Sequence, residues 1–174
     1  MSKRETYVGD GSREIYVAST QAGVATSTAL STTQTGITLT NPAGSGKTLV
    51  LLQLNGAVSA APAGAAPLVL AANVNPVAAA VTQTTPLTVR KANLGVSGTG
   101  AGLAASAVTL PAAPVVVAAI QAPVAGSAIT PASINVSFDG SLCVAPGCAI
   151  SLSSITTAVT GIWSLVWEEI DEIA

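Results

Sequence analysis

The chain contains no histidine. Without it, the usual general base for a serine or cysteine nucleophile is missing, and Asp139 is the only carboxylate side chain between Glu14 and Glu168. Two cysteines and no histidine also supply too few ligands for a tetrahedral zinc site within one chain. The expectation is a protein that is not an enzyme and that needs no cofactor and no metal.

Charge is equally scarce. Charged residues make up 8% of the chain, against about 25% in an ordinary soluble domain. A surface that met water everywhere would carry more charge to stay soluble and monomeric, so part of this surface is expected to lie against other protein. Six basic residues and a net charge of −2 are too few to neutralise a run of phosphates, which removes nucleic acid from the expected partners. Aromatic residues amount to 3%, so the mean hydropathy of +0.63 comes from Ala, Val and Leu, whose small side chains permit close backbone packing.

Long apolar helical runs are missing too. Residues 56–81 and 103–129 are free of charge, but Pro62, Pro67 and Pro76 interrupt the first and Pro111, Pro114 and Pro123 the second. Neither supplies the roughly 20 apolar helical residues that cross a bilayer, so no membrane is expected as a partner. The first fourteen residues are polar and lack the apolar segment of a secretory signal, which points to synthesis in the cytoplasm. No period of 20–50 residues repeats, so a solenoid is not indicated.

What is present is organised by its charge. Lys3, Arg4, Glu5, Asp10, Arg13 and Glu14 stand near the start, and Glu168, Glu169, Asp171 and Glu172 near the finish. Between them only Lys47, Arg90, Lys91 and Asp139 are charged. The Ser-, Thr- and Ala-rich run after the polar leader has no clear period, so residues 1–35 read as an extended arm and 36–174 as the folded body. In the body, short β-branched runs are divided by Gly, Pro and Asn at intervals that suit an antiparallel β-sandwich. Strands are expected at 36–40, 48–55, 68–73, 87–94, 115–120, 133–139, 141–144, 148–153 and 160–168. The last alternates, with Trp163, Leu165 and Trp167 on one face and Ile162, Ser164 and Val166 on the other. Both faces are largely apolar, which places this strand centrally and its tryptophans in the core. The Ala-rich segments 57–66 and 103–113 read as long loops or contact segments, because their Gly and Pro spacing leaves room for little helix.

Three motifs invite chemistry. Asn41-Pro42-Ala43-Gly44-Ser45-Gly46-Lys47-Thr48 resembles the end of a phosphate-binding loop, but Asn41 stands where that loop requires Gly, and a strand rather than a helix follows. A turn between strands, with the glycines at positive φ, is the simpler reading. Leu165-Val166-Trp167-Glu168-Glu169 has the form of a metal-binding strand without a phosphate loop to serve. Glu168, Glu169, Asp171 and Glu172 could hold a hard cation, but a solvated tail is the expectation. Cys143 and Cys148 flank Val144-Ala145-Pro146-Gly147, whose Pro-Gly pair favours a tight reversal. Across it the two cysteines are near but not ideally placed for a disulfide, and free thiols are expected. Asn135-Val136-Ser137 fits a glycosylation pattern that is common by chance.

The segment Leu142-Cys143-Val144-Ala145-Pro146-Gly147-Cys148-Ala149-Ile150-Ser151-Leu152, with Val159-Thr160-Gly161 and the ending Trp163 to Glu169, resembles the carboxyl-terminal part of some tailed-bacteriophage virion proteins. The resemblance covers about residues 134 to 169. It implies a jelly-roll-like sandwich that decorates or cements a capsid, a trimer bound to the major capsid protein with an amino-terminal arm reaching over neighbouring subunits. Its place would be the capsid surface of the virion. Partner contact is then expected from Tyr7, Ile15 and Tyr16 in the arm, because aromatic anchors dominate interface energy. Arg4, Arg13, Arg90 and Lys91 would steer docking onto an acidic shell. A receptor- or glycan-binding head of a phage fibre is the alternative, and an exposed polar and aromatic pocket would mark it.

Overall fold

The computed structural model describes residues 14–73, 80–121 and 133–172. Twelve strands make up the described chain: β1 (Glu14–Ser19), β2 (Val24–Ala25), β3 (Thr33–Thr40), β4 (Lys47–Ala60), β5 (Leu68–Asn73), β6 (Thr82–Pro86), β7 (Arg90–Lys91), β8 (Leu103–Thr109), β9 (Val115–Gln121), β10 (Ser133–Val144), β11 (Ala149–Ser154) and β12 (Thr160–Asp171). The fold is the all-β antiparallel sandwich that the sequence leads one to expect. One sheet runs β10-β4-β12-β1-β7, with β2 added alongside β12, and the other runs β6-β8-β3-β11-β5-β9. They are called the first and second sheets below.

The core between the sheets follows from side-chain alternation. Trp163, Leu165 and Trp167 of β12 face Ile37 and Leu39 of β3 and Leu68 and Leu70 of β5 in one buried cluster. β12 lies between β4 and β1, the central position that its two apolar faces indicate. On β4 the inward residues are Leu49, Leu51 and Leu54, a break in strict alternation. The pairing with β12 shifts there, from Gln53 opposite Val166 to Leu51 opposite Trp167, so the extra residue is Leu52. The indole of Trp163 lies over Gly56, where an added Cβ would come within 2.5 Å of the ring. Its Nε1 donates to the Val24 carbonyl at 2.8 Å, which satisfies the one polar atom the ring buries.

The second sheet is covered on its outer face as well. Ala105, Val108, Leu110 and Ala149 form a smaller apolar cluster there, packed by Val81. Two pairs of polar side chains under this cover bond each other, Thr38 with Ser151 at 2.9 Å and Ser153 donating to Gln34 Oε1 at 2.6 Å, whereas the buried Thr40 hydroxyl has no hydrogen-bond partner.

Several elements depart from expectation. The arm does not extend to residue 35: from Glu14 the chain is already in the first sheet, with β1 paired to β12 over six residues and Tyr16 only 2% exposed. Tyr16 and Ala18 alternate inward, and β12 offers them a paired edge. Residues 103–109, expected as loop, are strand β8, paired on both sides by β3 and β6. Residues 57–60 extend β4, and the two strands expected over 133–144 are one, bent where Asp139 and Gly140 take positive φ. The strand expected at 87–94 is confined to Arg90–Lys91, with another at Thr82–Pro86.

Candidate interaction surface

Two turns carry the chain between the sheets at one end of the sandwich. The first, 41–46, is the segment that resembles a phosphate loop. It joins β3 to β4 as a turn, with Gly44 and Gly46 at positive φ and β4 following directly. Its Lys47 is committed elsewhere, since Nζ pairs with Asp171 at 2.8 Å and Glu14 at 3.3 Å. Those contacts raise the Lys47 pKa above its ordinary value and lower that of Asp171. Asn41, where a phosphate loop has Gly, is fully buried. It accepts from Ser45 Oγ at 2.6 Å and donates to the Lys47 carbonyl at 2.7 Å, so it closes the turn on itself.

The second turn, between β10 and β11, is closed by Cys148 N–H donating to the Ala145 carbonyl at 3.1 Å. The strands it joins belong to different sheets, so it is a crossing rather than a hairpin. Both thiols are free, with Cys143 exposed and Cys148 half-buried, and burial pushes the Cys148 thiol pKa up. A cleft of about 280 Å³ opens beside this turn, between β10 of one sheet and β9 of the other. Leu142, Val144, Ile150 and Val117 line it, together with Asn73, whose buried amide nitrogen has no hydrogen-bond partner.

The acidic ending is not the solvated tail of the expectation throughout. Glu169 is only 5% exposed. Its carboxylate accepts from the backbone N–H of Ala101 at 2.8 Å, from that of Gly102 at 2.9 Å and from Trp167 Nε1 at 3.1 Å. With Asp171 on Lys47 and Glu169 turned inward, the acids do not converge, and no group of three metal-ligating side chains exists among the described residues.

Of the expected contact residues, Arg4, Tyr7 and Arg13 lie outside the described residues. Ile15, Tyr16, Arg90 and Lys91 are brought together, because β1 pairs with β7 through Tyr16–Lys91 and Val17–Arg90. Tyr16 is a core residue stacked on Trp167, with ring centroids 6.1 Å apart, and it offers no free anchor. Its burial, with Glu14 and Glu169 nearby, raises its phenol pKa. Lys91 Nζ stands 6.0 Å from the Tyr16 ring centroid, and Arg90 is exposed.

Sequence reasoning passed over the exposed apolar residues. Leu94 is 77% exposed and Val96 49%, in the loop after β7, while Val115 and Val116 are 48% and 45% exposed on β9, an edge strand of the second sheet. Asn93-Leu94-Gly95, a turn sequence, and three successive valines without a polar alternate were the available signals. A further asymmetry emerges only from the topology. None of the six strands of the second sheet contains a charged residue, whereas β1, β4, β7, β10 and β12 of the first all do.

Comparisons with protein-family models, with curated proteins and with solved structures found no match.

Proposed function

We propose that the protein is a structural component of a virion that binds and stabilises the capsid shell as a cement or decoration protein. The observation that carries this reading is the uncharged edge of the second sheet. This chain itself buries both faces of β3, β11 and β5, so what the sheet leaves for a partner is the edge strand β9, which exposes Val115 and Val116 with no charge beside them and suits burial against other protein. The elements that could suggest chemistry are consumed by the fold: Lys47 by Glu14 and Asp171, and Glu169 by backbone amides. The resemblance of residues 134 to 169 to tailed-phage virion proteins supplies the kind of assembly, with the major capsid protein as partner and a trimer as the expected unit.

A fibre head that binds a receptor or glycan is the other reading the sequence raises. The described aromatic residues, Tyr16, Phe138, Trp163 and Trp167, are all buried and offer a sugar no stacking platform. That favours the cement reading.

Electron cryomicroscopy of virions purified from the source tests the proposal. An ordered layer of this chain over capsid interfaces is the expected result, and the local symmetry of that density reads the oligomer. Density confined to a fibre tip would replace the reading with host binding, and absence of the chain from the particle would overturn both.

A further inference from the structure

We propose that the loop between β7 and β8 is a rigid docking finger, and that Leu94 at its tip enters an apolar pocket with an acidic rim on the capsid shell. The inference rests on the cement reading and adds to the uncharged β9 edge a second, specific point of contact. An isolated exposed leucine carries no information. What distinguishes this one is the framework that presents it.

Both limbs of the loop are fastened to the first sheet. On the incoming side Ala92 N–H donates to the Ile15 carbonyl at 2.8 Å. On the outgoing side the buried Glu169 carboxylate takes the N–H groups of Ala101 and Gly102. The chain passes directly over that carboxylate: a Cβ on Gly100 would stand 2.6 Å from Glu169 Oε1. Burying a carboxylate is costly, and here all three of its donors serve to hold a loop base and the Trp167 ring beneath it. At the tip, Val96 N–H donates to the Asn93 carbonyl at 3.2 Å and Gly95 has φ of +95°, which makes a tight turn with Leu94 at its corner. Ties at both limbs and a turn at the tip narrow the conformations open to Leu94, which lowers the cost of ordering it on binding.

The charge around the finger sets the chemistry of its partner. Arg90 and Lys91 stand at its base, on the strand that leads into it, and neither has an ion pair among the described residues. Lys47, by contrast, is neutralised by two carboxylates. A cationic base behind an apolar tip is complementary to an apolar pocket rimmed by Asp or Glu.

The test measures binding of the full chain to purified capsid shells that lack it, by co-sedimentation at several salt concentrations. The expected result is that Leu94→Asp weakens binding at least about tenfold, as loss of a central anchor does. Arg90→Glu with Lys91→Glu should reduce the salt dependence as well as the affinity. Glu169→Gln, which leaves Leu94 in place, should weaken binding several-fold and speed amide exchange at Ala101 and Gly102. Gly36→Ala, a destabilising change remote from the finger, should leave binding unchanged and so separates presentation from general stability. If Leu94→Asp disturbs the fold, Leu94→Ser with an unchanged melting temperature replaces it. Wild-type affinity for a folded Leu94 variant, on shells that bind the wild type, overturns the finger and leaves the cement reading standing. Failure of the wild type to bind shells overturns the cement reading, and the finger with it.

Discussion

The side-chain amide of Asn41 donates to the main-chain carbonyl of Val144 at 2.8 Å, across 103 residues of sequence. The same residue bonds the second turn through its backbone, donating to the Cys148 carbonyl at 2.9 Å and accepting from Gly147 N–H at 2.8 Å. One buried asparagine therefore holds together these two crossings between the sheets. Asn41→Ala would leave the buried Val144 carbonyl without its donor and break the bonds that hold Ser45 Oγ and the Lys47 carbonyl in the turn. The expected cost is about 3 kcal/mol. A domain of this size should then melt roughly 6–12 °C lower, as differential scanning calorimetry would record. Asn41→Asp should be no better, since it replaces the donating nitrogen by an acceptor facing two carbonyls.

Glycine positions separate two kinds of cost. Gly36 has φ of +121° and an added Cβ would stand 2.7 Å from the Leu152 carbonyl oxygen, whereas Gly44 has φ of +74° with nothing within 4 Å. Gly44→Ala therefore meets only the backbone penalty of the left-handed region, about 1 kcal/mol. Gly36→Ala meets that penalty plus a backbone collision and should cost more than about 2 kcal/mol. Urea unfolding of the two variants would show the difference in midpoint with an unchanged slope.

Much of this fold is legible in the sequence where a segment's own pattern decides its state. Residues 68–73 form a strand with the expected bounds because an apolar run lies between Pro67 and Asn73. The alternation of Trp163, Leu165 and Trp167 gives both the position of β12 and its inward face. The turn at 41–46 is readable because Asn-Pro and two glycines have a local conformational meaning. What is not legible is decided by distant partners. The Ala-rich β8 has weak strand preference of its own and becomes a strand because β3 and β6 pair with it on both sides. Glu-Ile-Tyr-Val-Ala-Ser at 14–19 carries a strand signal that the neighbouring polar residues obscure, and its place in the sheet comes from β12, almost 150 residues later. Glu169 reads as a solvated acid until the loop at 101–102, 67 residues earlier, closes over it. For the same reason the interaction surface is poorly legible: charge-poor composition announces that some surface is covered, but topology alone decides that the uncharged strands share one sheet.

The Lys47–Asp171 contact predicts a pH response of definite sign. The Asp171 pKa is lowered from its ordinary 3.8 by hydrogen bonding to Lys47, so its contribution is present above that value and is lost as pH falls through the lowered pKa. The Lys47 pKa is raised from 10.5 by its bonds to Asp171 and Glu14, so its contribution is present below 10.5 and is lost as pH rises through the raised pKa. Stability from this cluster should be flat between those limits and fall on either side. Lys47→Met should remove the part of the acid limb that belongs to the cluster. The effect should be small and should shrink in high salt, because these groups face solvent. Melting temperatures from pH 2 to 6, at low and high salt, would show it. A lysine engaged this way is also not a phosphate ligand, so millimolar ATP should leave the melting temperature unchanged.

The outer edge of β9 has no paired strand among the described residues, and no residue from Val115 to Gln121 is charged. Natural edges are guarded by lysine, proline or a bulge; β9 has irregular register with β5 but no charge. Val116 is 45% exposed, so Val116→Lys should change stability by less than about 0.5 kcal/mol. It should nevertheless keep the protein monodisperse at concentrations where the wild type self-associates, as light scattering would read. The same variant also locates the contact with the shell. If shell binding falls with Val116→Lys, the uncharged sheet reaches the shell through its edge. If binding is kept with Val116→Lys and lost with Leu94→Asp, the edge serves contacts between copies and the finger alone meets the shell.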